Sequence, residues 1–304
     1  MAADFEAPAA ADDDQPIRYV ERTRAWYAAL GYPPYRWARN DDVPFAPPAR
    51  PLGESRVALV TTAAPHRPDR GDQGPGAPYN AAAKFFEVYS GDTAAEHDLR
   101  VSHVAVDQSH LSDDGNCWFP LPALRRAAAR GRVGDVARRF HGVPTSRSQR
   151  RTLEVDAPEV LRRCREDGAE AAVLVANCPV CHQTLTLVAR ALEAAGIATV
   201  LLGAAKDVVE LCGAPRFLFS DVPLGNAAGL PHDRASQDAT LELALRILER
   251  APAPRTTVQS PLRWPGPPGW RRDYLNLAAL TPESIAARRA ETEDANARAR
   301  AARV

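Results

Sequence analysis

The densest chemistry in the chain is the run Asn177-Cys178-Pro179-Val180-Cys181-His182. Two cysteines separated by two residues bring their sulfurs within one helical turn, so that a thiolate on one can attack a sulfur-bound adduct on the other. At a helix N-terminus the free backbone N–H groups and the macrodipole favour a thiolate, and Cys-x-x-Cys pairs in that setting have lowered pKa values. This order predicts Cys178 as the exposed nucleophile, Cys181 as the resolving thiol and His182 as an acid/base or orienting group. The same residues admit other uses. Cys-x-x-Cys-His is also the attachment string of c-type haem, although the N-terminus does not read as an export signal and the single methionine is Met1. A structural zinc site takes four ligands, so the pair with His182 needs Cys117 or Cys212 from elsewhere in the fold. A non-catalytic subunit can keep the pair as structure alone. Cys164 and Cys212 stand in helical patterns beside Leu and Val and read as buried thiols.

Two polar constellations accompany the pair. Residues 100–107 (RVSHVAVD) read as a strand, on which His103 and Asp107 point to the same side; His110 and Asp114 follow in the next loop. A carboxylate partner raises the pKa of a histidine or fixes its tautomer. His103 and Asp107 are therefore candidates for acid/base work, and His103, Asp107 and His110 for a metal site. Asx-turn chemistry at Asp114-Gly115 is the competing use. Further on, Thr145, Ser146, Arg147 and Arg150 precede or open a helix, where hydroxyls, backbone N–H groups and guanidinium forks bind a carboxylate or phosphate well. A solvated charged face is the competing reading there. Asn116 is a further candidate for substrate binding. No Gly-x-Gly-x-x-Gly or P-loop string occurs, so nucleotide-dependent chemistry has no support.

These residues must be positioned by the elements between them. Short apolar runs at 56–62, 100–107, 171–176, 198–202 and 216–219 read as strands, and helical periodicity covers 122–140, 157–167, 181–195, 206–212 and 236–249. Asp156 with Glu159 three residues on predicts a capping box at the start of the second helix. The alternation predicts an α/β fold: a parallel, doubly wound sheet of Rossmann or flavodoxin-like type, covered on both faces, or two α/β subdomains with the cleft between them. The expected organisation is a disordered N-terminus at 1–16, a first subdomain with Pro-rich loops at 17–150, a second carrying the cysteine pair at 151–250, and a Pro-rich wrap with a C-terminal helix at 251–304. The pair then stands at the carboxyl end of a buried strand in a βαβ unit, where ligands of open α/β sheets gather.

Composition narrows the partners. The 304 residues carry 38 basic and 38 acidic side chains, a balance that provides no basic footprint for nucleic acid or an anionic membrane. No stretch approaches 18 uninterrupted apolar residues, and with no secretory signal the expected compartment is the cytoplasm, where a close cysteine pair is more often catalytic or metal-binding than structural. Lys84 and Lys206 are the only lysines, leaving two candidates for Schiff-base chemistry. The 27 prolines cluster at 43–51, 65–78 and 251–270; these segments read as ordered loops, the last pinned by Trp264 and Trp270.

Taken together, SHVAVDQSHLSDDGNCWFPLPAL, RGRVGDVARRFHG, VLVANCPVCHQTLTLVARALEAAGIATVLL and DVPLGNAAGLP resemble the selenoprotein B component of glycine/sarcosine/betaine reductases and the related D-proline reductases, over about residues 17–250. The resemblance places Cys178 at the family's selenocysteine, with a thiol for the selenol, and Cys181 at its partner cysteine. It implies an oxidoreductase that cleaves a carbon–heteroatom or sulfur bond of a small substrate reductively. It also implies reductase subunits as partners, one bearing a pyruvoyl group that activates an amine substrate. The accompanying expectations are no tightly bound cofactor, a dithiol or thioredoxin-type reductant delivered by a redox partner protein, zinc as an alternative ligand, and self-association as an alternative to a hetero-complex.

Overall fold

The computed structural model describes residues 15–301 except 78, 104 and 268. Helix α1 (Tyr19–Ala29) precedes β1 (Arg56–Thr61), whose last five residues are all buried, as a strand covered on both faces requires. A small antiparallel pair, β2 (Ala64–Pro65) with β4 (Leu99–Arg100), brackets β3 (Tyr89–Asp92) in sequence. Helix α2 (Leu121–Ala129) leads to β5 (Asp135–Val136) and β6 (Arg139–Gly142). Then follow α3 (Gln149–Arg151), α4 (Ala157–Glu166), β7 (Ala171–Val175), α5 (Pro179–Ala194), β8 (Ala198–Gly203), α6 (Lys206–Cys212) and β9 (Arg216–Phe219). The chain closes with α7 (Arg234–Arg250), β10 (Thr256–Gln259), α8 (Trp270–Asp273) and α9 (Pro282–Ala301).

The main sheet runs β10-β9-β8-β7-β1-β6-β3, with β5 also on β1. All its pairings are parallel except β3 on β6, which makes the fold a doubly wound α/β sheet. β1 and β7 pair in register from Val57 with Ala171 to Thr61 with Val175. The segments expected as two subdomains therefore share one sheet, and the crevice lies within it. After β1 the chain lays β6 on one side, then crosses back to lay β7 on the other and continues outward through β8, β9 and β10. The strand order thus reverses between β1 and β7. At such a switch point the loops leaving the two strands diverge to opposite faces and open a crevice at their carboxyl ends.

Several expectations change. The helix expected over 122–140 ends at Ala129, because Gly131 adopts φ 69° and turns the chain toward β5 and β6. The strand expected over 100–107 stops at Arg100; Asp107 instead caps a turn, Gln108–His110, by accepting the Ser109 N–H. Asp156 caps nothing. It lies in helical conformation at the end of a π turn (Thr152–Asp156) that joins α3 to α4, and neither carboxylate oxygen has a hydrogen-bond partner among the described residues. The Pro-rich tail yields the edge strand β10, and Trp270 is buried there while Trp264 is half-buried. The loop at 43–51 is held from within. Buried Arg216 pairs with Glu193 at 2.6 Å, donates to the Ala46 carbonyl at 2.7 Å and stacks on Phe45 at 3.9 Å. The disordered N-terminus expected at 1–16 falls, for 1–14, outside the described residues.

Candidate active site

Cys178 stands three residues after the end of β7 and is the N-cap of α5, in extended conformation, with Pro179 in the first turn. A sulfur occupies the place usually taken by a capping oxygen, and it accepts the Cys181 N–H at 3.1 Å. Proline in the first turn lacks the N–H that would otherwise be an orphan there. Cys178 and Cys181 are joined as a disulfide with Cα atoms 4.8 Å apart. The Thr145 hydroxyl lies 3.2 Å from Cys181 Sγ.

A cavity of about 300 Å³ opens in front of the pair, lined by Cys178, Pro179 and Val180 together with Ser102, His103, Thr145 and Arg147. Cys181, fully buried behind Cys178, does not line it. The wall is largely aromatic: Tyr35, Trp37, Tyr79, Phe85 and Tyr274, with Lys84 and Arg288 among them. Burial pushes the Tyr35 hydroxyl up to about 12, against the hydrogen bond it accepts from Gln183 Nε2 at 2.9 Å. Arg147 is exposed at the cavity and has no ion-pair partner among the described residues.

Two histidines flank the pair in different ways. His103 is buried and its Nε2 donates to the Thr62 carbonyl at 2.9 Å, in the loop leaving β1. Burial lowers its pKa to about 4, so the ring is neutral with an unprotonated Nδ1, and a ring nitrogen lies within 4.8 Å of both sulfurs. His182 is buried without exposure. Its Nδ1 donates to the Cys178 carbonyl at 2.6 Å while Nε2 accepts the N–H groups of Ala204 at 2.8 Å and Ala205 at 3.1 Å. Both ring nitrogens are thereby committed to backbone, so His182 orients the loop and has no nitrogen left for a sulfur. Of the two roles expected of it, the orienting one has this geometry and the acid/base one has no free nitrogen.

The other expected residues divide. His103 and Asp107 do not pair: Asp107 accepts from Ser109, and His110 bonds Asp273 at 2.7 Å with Asp107 at 3.9 Å. The expected metal set of His103, Asp107 and His110 is therefore split between two groups of ligand atoms, His103 with Cys178 and Cys181, and Asp107 with His110 and Asp273. Asn116 donates to Asp114, which caps the turn Gly115–Cys117, and it does not line the cavity. Ser146 accepts the Ser148 N–H, and exposed Arg150 lies 3.9 Å from Glu154; neither lines the cavity, whereas Thr145 and Arg147 do. Cys117, Cys164 and Cys212 are buried, and desolvation pushes each up to about 12. They remain thiols and join neither ligand group.

A disulfide-linked cysteine pair at the start of a helix, at the switch point of a mostly parallel sheet and beside an aromatic cavity, defines the class: an α/β protein with a helix-capping cysteine pair. The chain is 32% identical over 230 residues to D-proline reductase subunit gamma of Acetoanaerobium sticklandii, covering 73% of this chain and 92% of that one. It is 24% identical over 226 residues to glycine reductase complex component B subunit gamma of Symbiobacterium thermophilum, and 22% over 208 residues to that of Peptoclostridium acidaminophilum. The chain belongs to this family of reductase gamma subunits. It spans 50% and 46% of the length of the two glycine reductase relatives. No family model and no solved structure matches it. Among the described residues no helix is long and apolar enough to cross a membrane.

Proposed function

We propose that the chain is a thiol-dependent reductase, or the sulfur-bearing subunit of one, with Cys178 as nucleophile and Cys181 as resolving thiol. The observation that carries this reading is the asymmetry of the pair: Cys178 lines the cavity and Cys181 stands behind it. In the reduced protein, neutral His103 takes the Cys178 proton. The Cys178 thiolate attacks the substrate's carbon or sulfur centre, and the heteroatom leaves with the bonding pair and a proton. The Cys181 thiolate then attacks Cys178 Sγ, and the substrate fragment leaves with the second pair and takes a proton. The substrate has gained two electrons and the dithiol has become the disulfide, which an external dithiol resets. Thr145 hydrogen-bonds the incoming Cys181 sulfur, and Arg147, which has no ion-pair partner among the described residues, suits a substrate carboxylate. Reductase subunits, as in the relatives' names, are the proposed partners.

The test is differential alkylation of the reduced protein at neutral pH, followed by thiol counting after incubation with D-proline and with glycine. Cys178 is expected to react faster than Cys181, and turnover to consume two thiols per chain. A folded Cys178→Ser protein that still turns over, or a Cys178 no more reactive than the buried thiols, refutes the mechanism.

A further inference from the structure

We propose that the reduced pair and His103 form a three-ligand site for one zinc-class divalent cation, with the fourth position open to the cavity. The inference rests on the reading above in one respect, that the pair cycles between dithiol and disulfide. The ligand atoms of His103, Cys178 and Cys181 lie within 4.8 Å of one another. Tetrahedral zinc with Zn–S of about 2.3 Å and Zn–N of about 2.0 Å places neighbouring ligand atoms roughly 3.5–3.8 Å apart, so on reduction the two bonded sulfurs part to that spacing and the imidazole approaches them.

The surroundings match what such ligands need. A metal-binding histidine normally donates its other ring N–H to a carbonyl or carboxylate, which fixes the tautomer and aims the lone pair. His103 does this to the Thr62 carbonyl through Nε2, at 2.9 Å, leaving Nδ1 to ligate. Each sulfur has a donor of its own, the Cys181 N–H on Cys178 and the Thr145 hydroxyl on Cys181, and such donors stabilise thiolates. His182, adjacent in sequence, is excluded because both its nitrogens are used. Three protein ligands with one open position is the arrangement of a zinc ion that exchanges a water or substrate group.

Binding converts two thiols to thiolates and releases two protons. Disulfide formation removes both thiolates and passes two electrons to the substrate, so the ion leaves on oxidation. The cation thus caps the nucleophile in the idle reduced protein and competes with turnover.

The experiment titrates zinc ion into the anaerobically reduced full chain against a chromophoric chelator, and repeats it with cobalt ion to read the sulfur-to-metal charge-transfer band. One ion per chain in the reduced protein, none in the oxidised protein and loss of the band in Cys178→Ser are expected. His103→Gln, whose amide still donates to Thr62, is expected to bind at least tenfold more weakly. Equal affinity in His103→Gln, or no stoichiometric ion in a reduced protein whose Cys178 alkylates readily, overturns the site and leaves the catalytic reading standing. Stoichiometric, His103-dependent binding by a chain whose metal-free Cys178 is inert sustains the site and sinks the catalytic reading instead.

Discussion

His182 Nδ1 lies 2.6 Å from the carbonyl oxygen of Cys178, while the opposite nitrogen of the same ring accepts two N–H groups from the loop after β8. One neutral imidazole therefore ties the cysteine loop to the neighbouring strand end. His182→Ala leaves the N–H groups of Ala204 and Ala205 and the carbonyl of Cys178 without partners in a dry site, at about 1–3 kcal/mol for each unsatisfied group. The expected loss is at least ~2 kcal/mol in urea unfolding of the reduced protein, together with a shifted Cys178–Cys181 redox equilibrium. A variant of unchanged stability and unchanged equilibrium contradicts the strut.

The same ring sets a pH dependence. Burial holds His182 at about 4 in the folded chain, below the ordinary 6.5. A histidine with a depressed folded-state pKa contributes stability that is complete above about pH 6.5 and declines as pH falls toward 4, because the unfolded chain takes the proton first. The stability difference between wild type and His182→Ala should therefore shrink with acidification across that window, by about 1.4 kcal/mol per pH unit. Denaturation curves at pH 7.5, 6 and 5 give the slope, taken as flat if the ring is solvated.

Thr145 should govern the second half of the reaction. Its hydroxyl is 3.2 Å from Cys181 Sγ, and a hydrogen bond to a charged group contributes roughly 1.5–3 kcal/mol. Thr145→Val keeps the shape and removes the donor. Disulfide closure after formation of the Cys178 adduct should slow by about tenfold or more, seen by quenched-flow mass spectrometry as an accumulating adduct. Closure at the wild-type rate removes Thr145 from the resolving step.

The part of the site carried by chain-local signals was legible in the sequence. β7 is an unbroken apolar run and β8 carries one polar residue, Thr199, and the cysteine pair opens the amphipathic helix that follows β7, so strand, cap and helix could be read together. What sequence did not reveal was long-range. The cavity wall comes from Tyr35, Trp37, Phe85 and Tyr274, scattered over segments that have no shared period; the run YPPYRW at 32–37 was the one local hint. β10 was hidden in proline-rich sequence because its pairing partner, β9, supplies the reason to extend. His103 and Asp107 looked like strand neighbours, but the chain leaves the strand at Arg100, and each side chain finds a different partner.

The arginine loop should split functionally as it splits in space. Arg147 lines the cavity without an ion-pair partner among the described residues, whereas Arg150 points to Glu154 at the surface. For a carboxylate-bearing substrate, Arg147→Ala should raise KM by roughly tenfold or more with a smaller change in kcat, the loss of a charge-assisted contact made alike in ground and transition states. Arg150→Ala should leave both parameters near wild type, since exposed ion pairs contribute little. Steady-state kinetics on the two variants decides between a substrate clamp and a solvated face.

Gly203, the last residue of β8, is where the strand must let His182 approach. A Cβ on Gly203 would run into Nε2 and Cδ2 of the His182 ring, and the ring cannot retreat without giving up the N–H groups of Ala204 and Ala205. Gly203→Ala should therefore destabilise the fold by about as much as a lost buried hydrogen-bond set, ~2 kcal/mol or more. The clash is specific to the imidazole, because the next neighbour, Phe217, stands at an ordinary 3.4 Å. In a double-mutant cycle, adding Gly203→Ala to His182→Ala should cost much less than adding it to the wild type, giving an interaction energy of about 1 kcal/mol or more. Strict additivity would show that the two residues do not share the space that fixes the cysteine loop.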